Sequence, residues 1–458
     1  MIKFLPLGGA DDIGASCFYL NISGTGILLD CGIHPRKKGL ESLPKFELLD
    51  DLPVDYVLIS HAHQDHIGSL PFLIQRIPHV IIISTTQTKE IAELTLHNAA
   101  NILANNQNDE NEIRIYTHEE IDLLVRSIRA VKYEETFSLK GLRHNSVLPI
   151  QITFYDAGHI LGAAAILIEH DGQKLFYSGD FNLVDQTIMI GADLSKVKKI
   201  DTLILESTYA GTDSSNLGSW QSEQKRFSKH ANLILQKGGS ILIPVFALGK
   251  TQELLASIHL LMKKGLLTET NIYTGGIGRE ISVLYDRNRY LVRRKNRELK
   301  LRDIPQSNLF EIDDYNYFKK NPGIVLASSG MMLEGTASFR LLDFWIRQET
   351  FGIFGVGYMD SKTPGYKVMN ANRGDEIQIT EFRSPQKINC RLERFYFPSH
   401  SKREELLKIV EITKPKRVIL VHGEHQSQDW LGYNILTKFN QVKLYTAEVG
   451  NQISLSAD

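Results

Sequence analysis

The stretch Ser60-His61-Ala62-His63-Gln64-Asp65-His66 places three histidines and an aspartate within six positions, directly after the apolar run Val54 to Ile59. Imidazole and carboxylate are ligands for a borderline divalent ion such as zinc. In an extended segment His61 and His63 point to the same side, and after a bend Asp65 and His66 reach a second position. One short loop can therefore serve two ions. Two neighbouring ions need about four protein ligands each, with some shared. The set His61, His63, Asp65, His66, His159, Asp180 and His422 supplies them. Asp180 stands alone at the end of its strand and is the candidate bridge. Asp30 has no place in the ligand count and suits the role of orienting a ligand histidine. Such a pair of ions lowers the pKa of bound water to about 7, which is hydrolase chemistry. Of the 15 histidines, those such as His97, His118 and His144 have no comparable setting and are expected to be structural.

The elements that must position these groups are short strands. Cys17 to Ile22 and Gly26 to Cys31 are apolar runs joined by Ser-Gly-Thr-Gly, a hairpin signal. Val54 to Ile59 is a strand that delivers the histidine loop, and Ile67 to Ile77 is expected to be a helix. Thr88 to about Arg129 is helical, with a loop over Asn105 to Glu112. Asp171-Gly172 between Ala163 to Glu169 and Lys174 to Ser178 is a strong short hairpin signal. Asp30, His61, His159, Asp180 and Glu206 all fall just past the carboxyl ends of strands, where ligand sites of layered α/β proteins collect. From residue 211 to about 364 an inserted α/β domain is expected, with a basic helix from Arg279 to Arg297. After Tyr366 the pattern returns to strands, Glu376 to Phe382 and Cys390 to Phe397. That return brings His400 and, after the strand Arg417 to Val421, His422.

At 458 residues the chain exceeds one ordinary core, and its 42% hydrophobic and 23% charged residues are those of a globular protein. The N-terminus lacks a signal-peptide layout, and no apolar run approaches the roughly 18 residues that span a membrane. Cys17, Cys31 and Cys390 are too few and scattered for a disulfide framework, so a reducing cytoplasm is the expected setting. The net charge of −1 draws in no polyanion globally, so nucleic acid would have to be held by local patches. The run Arg287, Arg289, Arg293, Arg294, Lys295, Arg297, Lys300, Arg302 is one candidate patch, and a solvated helix face is the alternative.

His-x-His-x-Asp-His, with His159 in Ala-Gly-His and Asp180 in Ser-Gly-Asp, resembles the metallo-β-lactamase fold. Glu206 in Glu-Ser-Thr-Tyr, His400 and His422 in Val-His-Gly-Glu resemble its nucleic-acid-processing branch, the β-CASP family. So do Val245 to Leu254 and Ala327-Ser328-Ser329-Gly330-Met331-Met332. The resemblance implies a four-layer αββα metallo-β-lactamase fold with an inserted α/β β-CASP domain. Its expected parts are 1–210 and 365–458 for the first domain and 211–364 for the insertion. It further implies two zinc ions, one held by His61, His63 and His159 and the other by Asp65, His66 and His422, bridged by Asp180. His400 paired with Glu206 matches the general acid that protonates the leaving oxygen, and Asp65 joins the catalytic set. Ser328, Ser329, Gly330, Met331 and Lys250 are the implied phosphate or RNA contacts.

The activity implied is a zinc-dependent ribonuclease on single-stranded RNA, endonucleolytic with possible 5′-to-3′ exonuclease action. A homodimer or a place among processing-complex subunits is also implied, with no membrane partner. His422 favours RNA over DNA as an association within the family. Where the family commonly has His-Ala-Asp, this chain has His400-Ser401-Lys402, which bears on substrate preference but removes no family metal ligand. The alternatives are a DNA-processing nuclease of the same superfamily, a small-molecule metallo-hydrolase, a di-iron oxidoreductase and a catalytically silent scaffold subunit. Gln64 stands where the di-iron proteins usually have Glu. A scaffold typically loses metal ligands, and none is missing here.

Overall fold

A computed structural model describes residues 2–105, 116–142, 148–215, 217–381 and 384–455. Most of the expected loop over 105–112, the end of the expected strand at Phe382, and His144 lie outside them. The chain forms two compact units. The first comprises Met1–Val184, Gly191–Ser215 and His400–Asp458, and the second comprises Asp185–Ile190 and Asn216–Ser399.

Two seven-stranded sheets build the first unit. One runs Ile453–Leu455, Ile2–Gly8, Cys17–Ile22, Thr25–Leu29, Tyr56–Leu58, Ile81–Thr85, Arg129–Val131. The other runs Lys443–Thr446, Arg417–Val421, Thr202–Glu206, Gln173–Tyr177, Ala164–His170, Ile150–Asp156, Phe137–Leu139. Their inner faces share one core, in which Phe4, Phe18, Ile27 and Leu58 of the first meet Phe154, Ile166, Tyr177 and Ile419 of the second. Alternating apolar positions make each sheet bury one face against the other, about 10 Å away in such sandwiches. The helix Thr86–Asn105 packs on the first sheet and His425–Lys438 on the second, which gives the four layers. Both expected hairpins form. At Asp171-Gly172 both residues have positive φ, 48° and 72°, as a tight two-residue turn requires.

Helical segments of the first unit follow the sequence in part. The expected helix Ile67 to Ile77 is split into a turn at Gln64–Ile67 and a helix Leu70–Arg76, with Pro71 in its first turn where a missing N–H costs nothing. The helix His118–Ser127 starts at a capping box, in which the Thr117 hydroxyl accepts from Glu120 N–H and the Glu120 carboxylate accepts from Thr117 N–H.

The second unit is a six-stranded parallel sheet, ordered Ser307–Asn308, Asn271–Thr274, Gly323–Ala327, Ile241–Pro244, Gly352–Gly355, Arg391–Arg394. Trp345, Phe318, Leu342 and Ile353 centre its core. This corrects the boundary expected at residue 364. Arg391–Arg394 pairs in parallel with Gly352–Gly355, so the chain stays in this unit through Ser399. The basic stretch is corrected too. Its helix ends at Arg287, and of the arginines that follow Arg294 is buried, Arg289 and Arg293 are half-buried, and Arg297 and Arg302 are exposed. Arg294 is buried and donates to the carbonyls of Tyr285 and Leu299, Arg289 donates to Asp286 O, and Lys295 pairs with Asp185 at 2.8 Å. These cations hold the loop together and do not form one helix face.

Candidate metal centre

The strand Tyr56–Leu58 lies between two parallel neighbours, so its carboxyl end is fixed on both sides. It delivers Ser60, His61 and His63, and His63 is the N-cap of the turn carrying Asp65 and His66. The residue before Cys17–Ile22 and the loop after Thr25–Leu29 clamp that turn. Ser16 N–H donates to Asp65 O, Cys31 N–H to His66 O and Ile33 N–H to Gln64 O, all at 2.8–2.9 Å. Gly32 lies so close beneath that a Cβ there would stand 1.6 Å from Asp65 O. The second sheet brings the remaining groups. His159 follows Ile150–Asp156, Asp180 follows Gln173–Tyr177, and His422 follows Arg417–Val421, each past a residue or its own backbone at positive φ. Asn182 N–H donates to Ala157 O and His422 N–H to Gly9 O, which ties these strand ends together.

Three groups of potential ligand atoms result: His61, His63 and His159 with Asp180; Asp65, His66 and His422; and Glu206 and His400, again with Asp180. His61 Nε2, His63 Nδ1 and His159 Nε2 converge, with His63 Nδ1 at 3.0 Å and 3.3 Å from the other two. Asp180 Oδ2 stands 3.4 Å from His61 Nε2 and 3.6 Å from His159 Nε2. Its other oxygen, Oδ1, stands 3.4 Å from His66 Nε2 and 3.3 Å from His422 Nδ1. Asp65 Oδ2 completes the second group, 3.3 Å from His422 Nε2. His66 Nε2 and Asp180 Oδ1 are both buried and, among the described residues, neither has a hydrogen-bond partner. Two buried polar atoms facing each other unsatisfied are costly unless a cation lies between them. The donor set therefore fits divalent metal.

Electrostatics favour the same occupant. Burial, then the neighbouring His61, pushes His63 down to about 3. Burial and His400 push His159 well below its ordinary value, and burial and His66 lower His61. These three rings present neutral lone pairs, the form that binds metal. Burial alone would raise Asp180, but His422, His66 and His400 hold it well below the usual carboxylate range. Asp65 is likewise lowered by His66 and His422 against its burial. His66 is raised despite burial by Asp180, Asp65 and Asp30, so an entering cation competes there with a proton.

Asp30, buried and at φ 61°, accepts from Ser60 N–H (2.6 Å), Ser60 Oγ (2.7 Å), Tyr177 OH (2.6 Å) and His66 Nδ1 (2.8 Å). With Nδ1–H donating to Asp30, the lone pair of His66 is left on Nε2, facing Asp180. His400 Nδ1 lies 3.1 Å and 3.2 Å from the two oxygens of Glu206, and its Nε2 lies 3.9 Å from Asp180 Oδ2. Glu206 is itself fixed by the N–H groups of Phe181 and Thr208. Ser60, Tyr177, Gly32 and Thr208, whose hydroxyl bonds His422 Nδ1 at 3.1 Å, were not singled out by sequence. Gly32 carried the one readable signal, a glycine directly after the strand that ends at Asp30.

Of the implied phosphate contacts, Ser328, Ser329, Gly330 and Met331 lie past the strand Gly323–Ala327 in the second unit. Ser329 Oγ accepts from Leu333 N–H, and Phe246 packs within 3.1 Å of where a Gly330 Cβ would sit. Lys250 is a correction. It is 5% exposed, its ammonium donates to the Phe397 carbonyl, and it lies 5.5 Å from the Trp220 ring centroid. It serves the interior of the second unit.

The chain matches a metallo-beta-lactamase superfamily domain over residues 19–209 and a beta-Casp domain over 251–368. It also matches a "Zn-dependent metallo-hydrolase RNA specificity domain" over 385–445. It is 31% identical to cleavage and polyadenylation specificity factor 73 of Drosophila melanogaster, covering 94% of this chain and 61% of the fly protein. It is 27% identical to Integrator complex subunit 11 of Danio rerio, covering 96% and 72%, and 29% identical to the endoribonuclease YSH1 of Eremothecium gossypii, covering 96% and 57%. The chain thus spans less than two thirds of the length of the fly and fungal relatives. A crystal structure of a protein of unknown function from Enterococcus faecalis shares the fold, with a TM-score of 0.57 at 14% identity over 99% of both chains. With its two facing sheets, its shared aspartate and these matches, the chain belongs to the metallo-β-lactamase superfamily, in the branch that carries a β-CASP domain.

Proposed function

We propose that this protein is a ribonuclease that hydrolyses phosphodiester bonds of single-stranded RNA with two zinc ions. The observation that carries this reading is the Asp180 carboxylate, whose two oxygens each face a different set of nitrogen ligands. His61, His63 and His159 would hold one ion, Asp65, His66 and His422 the other, and Asp180 both. When bound, such a pair supplies Lewis-acid activation of water and neutralises charge on the phosphate. Glu206 takes the Nδ1 proton of His400 as a hydrogen bond, so a second proton on Nε2 is directed toward Asp180 and the reacting phosphate. His400 delivers it to the departing ribose oxygen. The RNA assignment and a place among processing-complex subunits are supported by the relatives named for RNA cleavage and for the Integrator complex, and by the RNA specificity domain match. Three buried free cysteines suit a reducing compartment. No described helix is long and apolar enough to cross a membrane.

The test is cleavage of end-labelled single-stranded RNA by purified protein, with and without chelator, and in competition with single-stranded DNA. The expected result is cleavage that chelator abolishes, zinc restores and RNA competes for best. Cleavage that survives complete metal removal would overturn the proposal.

A further inference from the structure

His97 and His118 stand apart from the ligand set above, on the helices Thr86–Asn105 and His118–Ser127. Their Nδ1 atoms face each other at 2.6 Å, with the rings edge to edge, 4.9 Å between centroids and 19° between planes. The far side of each ring is already committed. His97 Nε2 lies 3.1 Å from the Asp122 carboxylate, and His118 Nε2 lies 3.1 Å from Asn101 Oδ1. The Asp122 carboxylate accepts only, and Asn101 as oriented presents its carbonyl oxygen, so both Nε2 atoms carry hydrogen, and in the neutral rings both Nδ1 atoms carry lone pairs. Two lone pairs at this distance repel, and something positive must lie between them. We propose that this pair is a second cation site, which takes one imidazole-preferring divalent ion such as zinc.

The setting is that of a metal ligand. A ligating histidine characteristically donates its other N–H to a carboxylate or carbonyl, which fixes tautomer and orientation, and here each ring has such a partner. His118 is also held by its backbone, because the capping box at Thr117 and Glu120 sets the first turn of its helix. Tetrahedral bonds of usual length put two zinc-bound nitrogens roughly 3.3 Å apart, so the rings open by roughly 0.7 Å on binding. His118 is exposed and the His97 side chain is 26% exposed, which permits that movement and lets water complete the shell. The ion clips one helix to the other on the outer face of the first sheet.

The competing occupant is a proton shared by the two rings, and metal counting separates the two. Full-length protein and the His97→Ala and His118→Ala variants are dialysed against zinc, and zinc per chain is measured. The expected result is one zinc fewer in each variant than in the parent. Isothermal titration is expected to give a binding event that both variants lack and that Asp122→Asn weakens on the order of ten-fold. His118→Gln, which keeps a polar exposed side chain, guards against a folding defect and is expected to behave as His118→Ala. Equal zinc content in parent and variants, or an isotherm unchanged in His118→Ala, overturns the site.

Discussion

Glu206 holds His400 by both carboxylate oxygens, and the N–H groups of Phe181 and Thr208 hold Glu206. The imidazole therefore has one orientation, with Nε2 toward Asp180. Replacing His400 by Gln keeps a polar group but removes the transferable proton. RNA cleavage by this variant is expected to fall by about 10²- to 10⁴-fold in kcat. Zinc content, measured on the same sample, is expected to stay at the parent level, because the proposed function assigns neither ion to the group that His400 forms with Glu206 and Asp180. A loss of zinc together with activity would make His400 a ligand instead of an acid. The residues proposed as ligands are legible in sequence because histidine and aspartate gather just after apolar strand runs. Their supports are not. Ser60, Tyr177 and Thr208 are common residues whose importance comes from distances of 2.6–3.1 Å that appear only after two sheets close on each other. His97 and His118 were passed over for the same reason, since 21 positions separate them and a helical hairpin brings them together.

At the scale of elements, the histidine loop depends on the loop that crosses beneath it. Gly32 has no room for a methyl group, since a Cβ would fall 1.6 Å from Asp65 O and 2.7 Å from His66 N. Gly32→Ala must push the Gln64–Ile67 turn outward, and Asp65 and His66 move with it. The variant is expected to lose the second ion before the first, read as zinc per chain falling by one at moderate chelator concentration. Equal retention of both ions would show that the turn accommodates the methyl.

In the second unit a different element is held by a buried carboxyl group. Glu253 on the helix Lys250–Lys263 accepts the N–H groups of Ile188 and Met189, and burial pushes its carboxyl up to about 7. The folded state then binds the proton more tightly than the unfolded one between pH 4.5 and about 7, so this group's contribution to stability falls as pH rises through that window. The melting temperature of the parent relative to Glu253→Gln is expected to decline from pH 5 to pH 7.5. A pH-independent difference would place the effect of the substitution in its hydrogen bonds alone. The segment Asp185–Ile190 that this glutamate captures is not legible in the sequence, because it has no periodicity of its own.

For the whole molecule, the division into two units assigns the consequences of metal loss to one of them. All seven residues that the proposed function makes ligands lie in the first unit, and so do His400 and Glu206. The ends of four of its strands bring Asp180, Asp65 and a cluster of histidines into a buried space, where unneutralised polar atoms destabilise the fold. An ion that binds only the folded state adds stability by mass action, and its removal withdraws that contribution. The second unit has its own parallel sheet and its own aromatic core, and it holds none of those ligands. Calorimetry is therefore expected to resolve more than one transition, as proteins with separate cores often do. Chelator is expected to lower the transition of the first unit by several degrees and to leave the other in place. Limited proteolysis near the first midpoint, with fragments identified by mass, would assign the transitions, and chelation should speed cuts in 1–184 and 400–458 over those in 216–399. If chelator instead shifts a single transition, or speeds cleavage equally in both units, the metal centre stabilises the chain as one cooperative body and the two cores are not independent.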